Sequence, residues 1–182
     1  CRILYFPLSV GVIERRLPKA CIVLGSLIVD RLTSHPSVAP PHSIADWGLT
    51  RYADAYSRQL QLVKKRFDGE IPDTLVYTEH HPVITIGARI GASKHLLWDQ
   101  QTLSSRGIEL EKSNRGGDIT YHGPGQIVGY PVLDLREWGG PLKYVRTLEQ
   151  IIIDTLGDFQ IEPGLVEGIT GVWAGDAKIA AI

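Results

Sequence analysis

The stretch RGGDITYHGPGQ, residues 115–126, contains four glycines and one proline within 12 residues. Glycine tolerates backbone conformations with positive φ and allows a ligand or another strand to approach the backbone closely. If the middle of this stretch is a strand, Thr120 and His122 lie on one face and Tyr121 lies on the other. One face would then carry a hydroxyl and an imidazole beside a wall of glycines.

Arg115 opens this stretch and would place a cation next to backbone N–H groups, an arrangement that can bind an anion or a carbonyl oxygen. From the spacing alone, the simpler interpretation is a tight β-turn with a hydrogen-bonded histidine. The glycines do not match a Walker loop, since no Gly-Lys-Ser/Thr follows them, or a dinucleotide motif, since no helix begins at them. We therefore expect no cofactor.

Two long amphipathic helices are predicted on either side of the glycine-rich stretch. Apolar residues at steps of three and four mark residues 49–67 and 142–159. The apolar face of the first helix would comprise Tyr52, Tyr56, Leu60, Val63 and Phe67. A shorter helix is predicted over residues 98–105.

Short runs rich in β-branched residues predict strands between these helices. Their predicted bounds are 74–79, 83–87, 108–112, 118–122 and 126–135. Residues 171–174 and 178–182 predict a hairpin around Gly175-Asp176. Pro131 predicts that the strand 126–135 is an edge strand, a bulged strand or a broken one, because proline cannot donate to a sheet ladder. The mixture of elements indicates an α+β domain with a mixed sheet flanked by helices.

The composition is that of an ordinary globular chain, with 43% apolar and 21% charged residues among 182. A net charge of −1 gives no field that would favour nucleic acid or a membrane surface. The two cysteines, Cys1 and Cys21, form no C-x-x-C pair, which argues against a disulfide framework or a zinc cluster. The six histidines show no i, i+4 pairing, so no metal site is expected.

Residues 1–42 are predicted to be a non-domain or targeting-like extension, and residues 43–182 the catalytic domain. The apolar run 20–29 is about ten residues long and too short to span a bilayer. Basic residues precede it, so it could mimic a signal peptide or an organelle presequence. Upstream non-domain sequence and an apolar strand are the other interpretations. Three prolines in SHPSVAPPHS, residues 34–43, indicate a linker.

Residues 115–126 and the apolar strand IVGYPVLDL that follows resemble the signature of the lipoyl(octanoyl) transferase family. The segment EHHPVITIG, residues 79–87, is similar to the family's E-H-x-P-V-x-T-x-G strand. The segments GVW, residues 171–173, and KIAAI, residues 178–182, are similar to its P-G-V-W/Y and K-I-A-A-I-G motifs. Thr170 replaces the proline of the first of these, which we expect to matter little because Lys178 is kept. The resemblance covers roughly residues 49–182.

This resemblance implies the fold of the biotin/lipoate protein ligase catalytic domain. It implies an enzyme that moves an octanoyl or lipoyl group from acyl carrier protein, through a thioester on an enzyme cysteine, to a lysine of a lipoyl domain. The acceptors would be lipoyl domains of 2-oxoacid dehydrogenase complexes and the glycine cleavage H protein. We expect a monomer in the cytoplasm, or in mitochondria or plastids if residues 1–42 are a presequence, with no nucleic-acid or membrane partner.

An acidic carrier protein would need a basic patch near the site. The candidate residues are Arg89, Lys94, Lys112, Lys143 and Arg146. A scatter of solvated surface charges is an equally good interpretation of the same residues.

The resemblance also implies the site residues. Lys178 matches the lysine that lowers the pKa of the family's catalytic cysteine and accepts or relays its proton. The acyl and thioester site would be lined by Arg115, Gly116, Gly117, Asp118, Ile119, Thr120, Tyr121, His122, Ala181 and Ile182.

In the family the catalytic cysteine lies downstream of the lysine, after an H-G-x-A-x-N segment. This chain ends four residues past Lys178, and both of its cysteines lie far upstream. We therefore expect that the 182 residues alone lack the nucleophile, fold poorly and are inactive.

Three other functions remain open. A lipoate–protein or biotin ligase relative would share the fold but would activate its acid with ATP, and its glycine loop differs from residues 115–126. An N-terminal nucleophile amidohydrolase would use Cys1. An inactive domain would only bind acyl carrier protein.

Overall fold

The computed structural model describes residues 8–10 and 42–182. Within these residues it contains ten β-strands, three α-helices and one 3₁₀ helix. The predictions made for the apolar run 20–29 and for most of the proline-rich segment 34–43 lie outside the described residues. The boundary predicted at residue 43 therefore stays a prediction.

The strands are short, with one exception of nine residues near the start of the described domain. Their bounds are β1 Leu8–Val10, β2 His42–Thr50, β3 Asp73–His80, β4 Val83–Ile86, β5 Glu109–Lys112, β6 Ile119–His122, β7 Ile127–Val132, β8 Pro163–Val166, β9 Ile169–Ala174 and β10 Ala177–Ala181. The helices are α1 Tyr52–Phe67, α2 Gln100–Ser105 and α3 Pro141–Asp158, with the 3₁₀ helix at Ala92–His95.

The strands form two sheets. The larger one has seven strands in the order β2-β3-β7-β1-β10-β9-β8, and the smaller one has the order β5-β4-β6. Each sheet is mixed, because β2 pairs with β3 and β4 pairs with β5 in parallel while the other pairs are antiparallel. The predicted α+β class with a mixed sheet is confirmed.

Helix α3 packs one apolar face against the β9–β10 hairpin. Pro141 occupies its first turn, where the missing N–H costs nothing. Tyr144, Leu148, Ile152 and Leu156 recur at steps of four and are almost fully buried. They share one core with Val172, Ile179 and Ala180 of the hairpin. The hairpin that carries Lys178 therefore rests on a rigid helix.

Helix α1 begins three residues later than predicted and buries a different face. Leu49 and Thr50 belong to β2. The buried residues of the helix are Tyr52, Ala55 and Gln59, whereas Leu60 and Phe67 from the predicted face are 52% and 60% exposed. Small Ala55 lets the helix approach Val76, Val128 and Tyr130 of the sheet, so close packing selected that face over the more apolar one.

The expectation for Pro131 was wrong. Strand β7 lies inside the seven-stranded sheet, between β3 and β1. Pro131 is opposite Leu75 of β3, and the described pairs between β1 and β7 involve residues 127–129 of β7. The pairing with β3 keeps one register on both sides of the proline, from Val128 to Val132, so β7 is continuous there.

Strands β2 and β8 were not predicted. Gly48 interrupts the pattern of β2, whose pairing with β3 shifts register between Asp46 and Leu49. Strand β8 begins with Pro163-Gly164, a pair typical of turns. Both strands lie at the edges of the large sheet, where such residues are tolerated. None of the helices that the structure describes is long and apolar enough to cross a membrane.

Replacing Leu148 by alanine tests the packing of α3. Leu148 is 1% exposed, so Leu148→Ala should lower the free energy of unfolding by about 2–5 kcal/mol through lost burial and a new cavity. The matched control is Leu60→Ala on α1, where the side chain is 52% exposed and the expected loss is about 0.5 kcal/mol. Chemical denaturation measures both, and equal losses would contradict the assigned core.

Candidate functional site

A cleft of about 360 Å³ lies between the glycine loop with strand β6 on one side and the end of β10 on the other. Its walls are formed by Arg115, Gly116, Gly117, Asp118, Ile119, Thr120, His122, Lys178, Ala181 and Ile182. These residues are the predicted site residues with one exception. Segments separated by about 60 residues in sequence are thus brought to one opening.

Tyr121 is the exception, since it lies outside the cleft lining and is 50% exposed. Alternation along β6 explains this position: Thr120 and His122 face the cleft, as expected from the sequence, and the residue between them points away. Tyr121 matches the family motif but has no contact with the cleft that would support a binding role.

The glycine loop is fixed to the end of β4 by a close approach of two backbones. The N–H of Gly87 donates to the carbonyl of Asp118, and the N–H of Ala88 donates to that of Arg115, both at 2.9 Å. A Cβ at Gly87 would lie 2.5 Å from the carbonyl oxygen of Gly117, so only glycine fits there. Gly87 therefore sets where this wall of the cleft begins.

Arg115 holds the same loop through its guanidinium group. Nε donates to Thr85 Oγ1 at 3.1 Å, and one terminal nitrogen donates to the carbonyls of Thr85 and Asp118 at 3.0 Å each. The other terminal nitrogen donates to the carbonyl of Gly116 at 2.9 Å. Burial lowers the pKa of Arg115 from its ordinary value, yet arginine keeps its charge in proteins.

These contacts change the interpretation of Arg115. The sequence suggested a cation aimed at an anion or a substrate carbonyl, but most of the guanidinium N–H groups are used on oxygens of the protein itself. Arg115 lines the cleft mainly as a clamp that ties the glycine loop to β4. Thr85, the partner that accepts three of these bonds, was not identified from the sequence as a site residue.

His122 forms the buried floor of the cleft. Its Nδ1 is hydrogen-bonded to Gln126 Oε1, and its ring stacks on Tyr52 and meets the edge of His80. Burial lowers the pKa of His122 to about 4, with the Gln126 hydrogen bond acting in the opposite direction. The imidazole is therefore neutral at physiological pH, so the cleft contains a hydrogen-bonded histidine that also borders the site.

A second histidine supports this floor from below. His80 is fully buried, and its Nε2 is 2.6 Å from the hydroxyl of Tyr130. Its Nδ1 is 3.2 Å from the carbonyl of Thr50. Burial lowers the pKa of His80 as well. The following residue, His81, is exposed and lies past the end of β3.

Asp118 carries the negative charge at the rim. His95 Nδ1 lies 2.6 Å from its carboxylate and Arg89 lies 3.8 Å from it. The hydrogen bond from His95 lowers the pKa of Asp118 below its ordinary value. The loop between β4 and α2 is therefore attached to the cleft through this carboxylate.

Lys178 faces the glycine loop from β10. Its Nζ donates to the carbonyl of Thr170 at 2.8 Å and lies 4.8 Å from the centre of the Trp173 ring. Partial burial lowers the pKa of Lys178, while the carboxylate of Glu149 opposes that shift. The carbonyl and the ring both stabilise the ammonium. Since the contact at Thr170 uses a backbone oxygen, the threonine in place of the family's proline leaves it intact.

No group of three or more His, Cys, Asp or Glu side chains within residues 8–10 and 42–182 is arranged to hold a metal ion. The ionisable groups that face the cleft are Arg115, Asp118, His122 and Lys178. With a neutral imidazole, two cations and one carboxylate, the cleft can bind a polar, partly anionic group against its glycine wall.

The family described as "Lipoyl protein ligase A/B catalytic domain" matches residues 51–182. This range contains the whole cleft and all helices of the described structure. The chain belongs to this family.

The curated proteins that resemble the chain are octanoyltransferases. The octanoyltransferase of Solibacter usitatus is 52% identical over 136 residues, which cover 74% of this chain and 61% of that protein. The octanoyltransferase of Koribacter versatilis is 46% identical over 145 residues, covering 76% of this chain and 57% of its own length. The chain thus spans about three-fifths of the length of the curated relatives it matches.

Solved structures of lipoate protein ligases share the fold. The bi-partite ligase of Thermoplasma acidophilum superposes with a TM-score of 0.55 at 15% identity, covering 77% of this chain and 53% of that one. A lipoate-protein ligase A bound with ATP gives a TM-score of 0.55 at 16% identity, covering 76% and 59%. The predicted likeness to the biotin/lipoate protein ligase catalytic domain is confirmed at the level of the fold.

Sequence reasoning located this family's cleft but missed two of its supports. Thr85 receives the Arg115 clamp, and Glu149 contacts the hairpin that carries Lys178. A signal for Glu149 was present, because it is an acid directly beside Leu148 on the buried face of α3. Thr85 is the threonine of the E-H-x-P-V-x-T-x-G match, so a signal was present for it as well, but the motif did not indicate its partner.

Replacing Arg115 by lysine tests the clamp. Lysine cannot reproduce the planar fork, so Arg115→Lys should leave buried carbonyls unpaired and lower the free energy of unfolding by about 1–3 kcal/mol. Arg51→Lys is the control, because Arg51 makes an exposed ion pair with Glu109 and should change stability by less than about 1 kcal/mol. Equal stability of the two variants, measured by denaturation, would show that the clamp contributes nothing.

The titration of His122 gives an independent test of its burial. Its pKa of about 4 lies below the ordinary value of 6.5. Between pH 4 and pH 6.5 the unfolded state therefore binds more protons than the folded state. Stability from this group is complete above pH 6.5 and falls as the pH drops toward 4. The slope should approach about 1.4 kcal/mol per pH unit and should be shallower in His122→Gln.

NMR observation of the His122 ring should give a titration midpoint about 4. A midpoint near the ordinary histidine value, or the same pH dependence of unfolding in His122→Gln as in the wild type, would mean that the ring is solvated.

Proposed function

We propose that the protein containing this chain is an acyltransferase that moves an octanoyl or lipoyl group from acyl carrier protein to a lysine of a lipoyl domain. The observation that carries the proposal is the placement of Lys178 across one cleft from the glycine loop and His122. The similarity to octanoyltransferases, at 52% and 46% identity, supports the choice of acyl group.

The chemistry follows from what each wall supplies. A cysteine thiolate attacks the carbonyl carbon of the donor thioester, and collapse of the tetrahedral oxyanion releases the carrier thiol and leaves the acyl group on the enzyme sulfur. The amine of the acceptor lysine then attacks this new thioester, forms the amide and returns the enzyme thiol. The neutral amine of Lys178 would accept the proton of the enzyme thiol, stabilise the resulting thiolate as an ammonium, and then give the proton to the departing carrier thiolate.

The glycine wall can supply hydrogen-bond donors to the tetrahedral oxyanion of this reaction. Among the described residues, none accepts a hydrogen bond from the N–H of Gly116 or Gly117, and both glycines border the cleft. A backbone N–H directed at a developing oxyanion lowers the barrier by about 3 kcal/mol. We assign the oxyanion contacts to these two glycines, and the clamp by Arg115 would keep them in place.

The thiol is the part that residues 42–182 do not contain. The family resemblance places the reactive cysteine downstream of Lys178. The transfer and binding experiments therefore use the protein expressed from its complete reading frame.

Acyl carrier protein is proposed as the donor because of charge near the cleft. Among the basic candidates, Arg146 is ion-paired with Glu149 and is not a free charge. Arg89 is paired more loosely, with Asp118 3.8 Å away at the rim, and Lys94 lies on the same exposed loop, so these two remain the better candidates for an acidic carrier. This loop also exposes Ile90 and Leu97 almost completely, which would provide apolar contacts beside the charges.

Removing Lys178 tests the function. Lys178→Ala in the complete protein should lower the rate of octanoyl transfer from octanoyl-acyl carrier protein to a lipoyl domain by about 10²–10⁴-fold, as expected for loss of a proton-transfer group. Mass spectrometry of the lipoyl domain measures the product. Lys65→Ala is the control, since Lys65 is exposed on α1 and lies outside the cleft lining.

Three outcomes of this assay separate the candidate functions. Transfer without ATP supports the proposal. Transfer from free octanoate that requires ATP would overturn it in favour of a ligase. Binding of octanoyl-acyl carrier protein by the complete protein without any transfer would reduce the function to carrier binding.

A further inference from the structure

Glu149 is a buried acid that the proposed transfer reaction does not use. It lies on α3 and is 1% exposed, beside Leu148 on the face that packs against the β9–β10 hairpin. A carboxylate in such surroundings is costly unless it is paired and hydrogen-bonded. Its contacts therefore indicate what it stabilises.

The two oxygens of Glu149 have different partners. Oε2 accepts a hydrogen bond from the guanidinium of Arg146, 2.6 Å away, whose side chain reaches the surface. Oε1 accepts from the backbone N–H of Gly171 at 3.0 Å, across the gap between α3 and β9. One oxygen therefore balances the charge, and the other fixes a backbone group of the hairpin.

The N–H of Gly171 belongs to the same peptide group as the carbonyl of Thr170. That carbonyl accepts the hydrogen bond from Lys178 Nζ at 2.8 Å. One peptide plane thus lies between a carboxylate on its N–H side and an ammonium on its C=O side. Both ions polarise the peptide in the same sense, so each of the two hydrogen bonds strengthens the other.

Gly171 allows the lysine to lie against this peptide. Its φ of +124° is in the region that favours glycine, and a Cβ there would lie 2.5 Å from Lys178 Cε and 2.5 Å from the carbonyl oxygen of Ala180. The side chain of Lys178 occupies the space that any other residue would fill. On its other side lies the ring of Trp173, 4.8 Å from Nζ.

We propose that Glu149 is a positioning residue for Lys178: through the Thr170–Gly171 peptide, it holds the carbonyl that directs the ammonium of Lys178 into the cleft. The structural part of this proposal concerns only the described residues. Its meaning for catalysis rests on the proposed acyl transfer.

The other ionisable groups around the cleft do not replace Glu149 in this role. Arg115 is bound to oxygens of the glycine loop and β4, and Asp118 is bound to His95 and Arg89 at the rim. His122 is hydrogen-bonded to Gln126. Among these groups, Glu149 alone lies behind the hairpin and contacts the peptide to which Lys178 is hydrogen-bonded.

The first measurement is the NMR signal of the Lys178 ε-CH₂ group in the complete protein. Its position over the Trp173 ring should shift this signal upfield in the wild type. Glu149→Gln should reduce the ring-current shift and move the pKa of Lys178 further down, because a carboxylate that favours the ammonium is lost. Asp154→Asn is the matched control, since it removes an exposed acid from the same helix.

Glu149→Asp separates position from charge. It shortens the side chain by one methylene, so the carboxylate no longer reaches the fixed N–H of Gly171, whereas the exposed side chain of Arg146 can follow it. The ring-current shift should therefore fall while most of the charge effect remains. This variant also decides the question if Glu149→Gln does not fold. A Lys178 signal and pKa that are unchanged in the folded variants would overturn the proposal.

The second measurement is the transfer rate of the complete protein. Glu149→Gln should lower kcat about 10–100-fold, the size of effect expected when a reacting group is displaced by about 1 Å, with KM unchanged. If the Glu149 variants leave the Lys178 NMR signal unchanged and the wild-type protein is an active transferase, the positioning role alone is overturned. If the Glu149 variants change the Lys178 NMR signal but the complete wild-type protein has no transferase activity, the proposed function is overturned instead.

Discussion

The clamp between Arg115 and Thr85 is the contact on which the cleft depends. A glycine-rich loop has many accessible conformations, so ordering it carries a large entropic cost. The guanidinium offsets this cost by binding carbonyls on both sides of the loop, at Thr85, Gly116 and Asp118. Because a buried carbonyl without a partner is destabilising, the loop and the end of β4 can satisfy these groups in only one arrangement. The glycine wall is therefore a rigid surface.

The opposite wall is supported in a different way. It belongs to the large sheet, and α3 packs beneath it through Leu148, Ile152 and Leu156. Apolar packing fixes the distance between helix and hairpin but does not specify the orientation of one peptide. The polar contact from Glu149 to Gly171 supplies that orientation at the point where Lys178 is bonded. Thus each wall combines a packed scaffold with one charged side chain directed at backbone groups.

Particular elements explain where sequence reasoning succeeded and where it failed. Strands β3 to β7, the β9–β10 hairpin and the long α3 were located because their patterns reflect burial on one face. The face of α1 was misassigned, since the side chains that fit closest to the sheet are Ala55 and Gln59, which have little apolar character of their own. Pro131 was expected to place its strand at an edge or to interrupt it, because proline cannot donate to a ladder, whereas β7 is an interior strand that continues through Pro131 opposite Leu75 of β3.

The sequence by itself determined the family, the α+β class and the residues that meet at the cleft, because these depend on local motifs and on the alternation of faces along single elements. Only the tertiary structure decided what those residues do to one another. Arg115 and Thr85 are 30 residues apart and Glu149 and Gly171 are 22 apart, on different elements in both cases. A hydrogen bond needs its partners placed to within a few tenths of an ångström. That placement comes from the packing of whole elements, which no local pattern encodes.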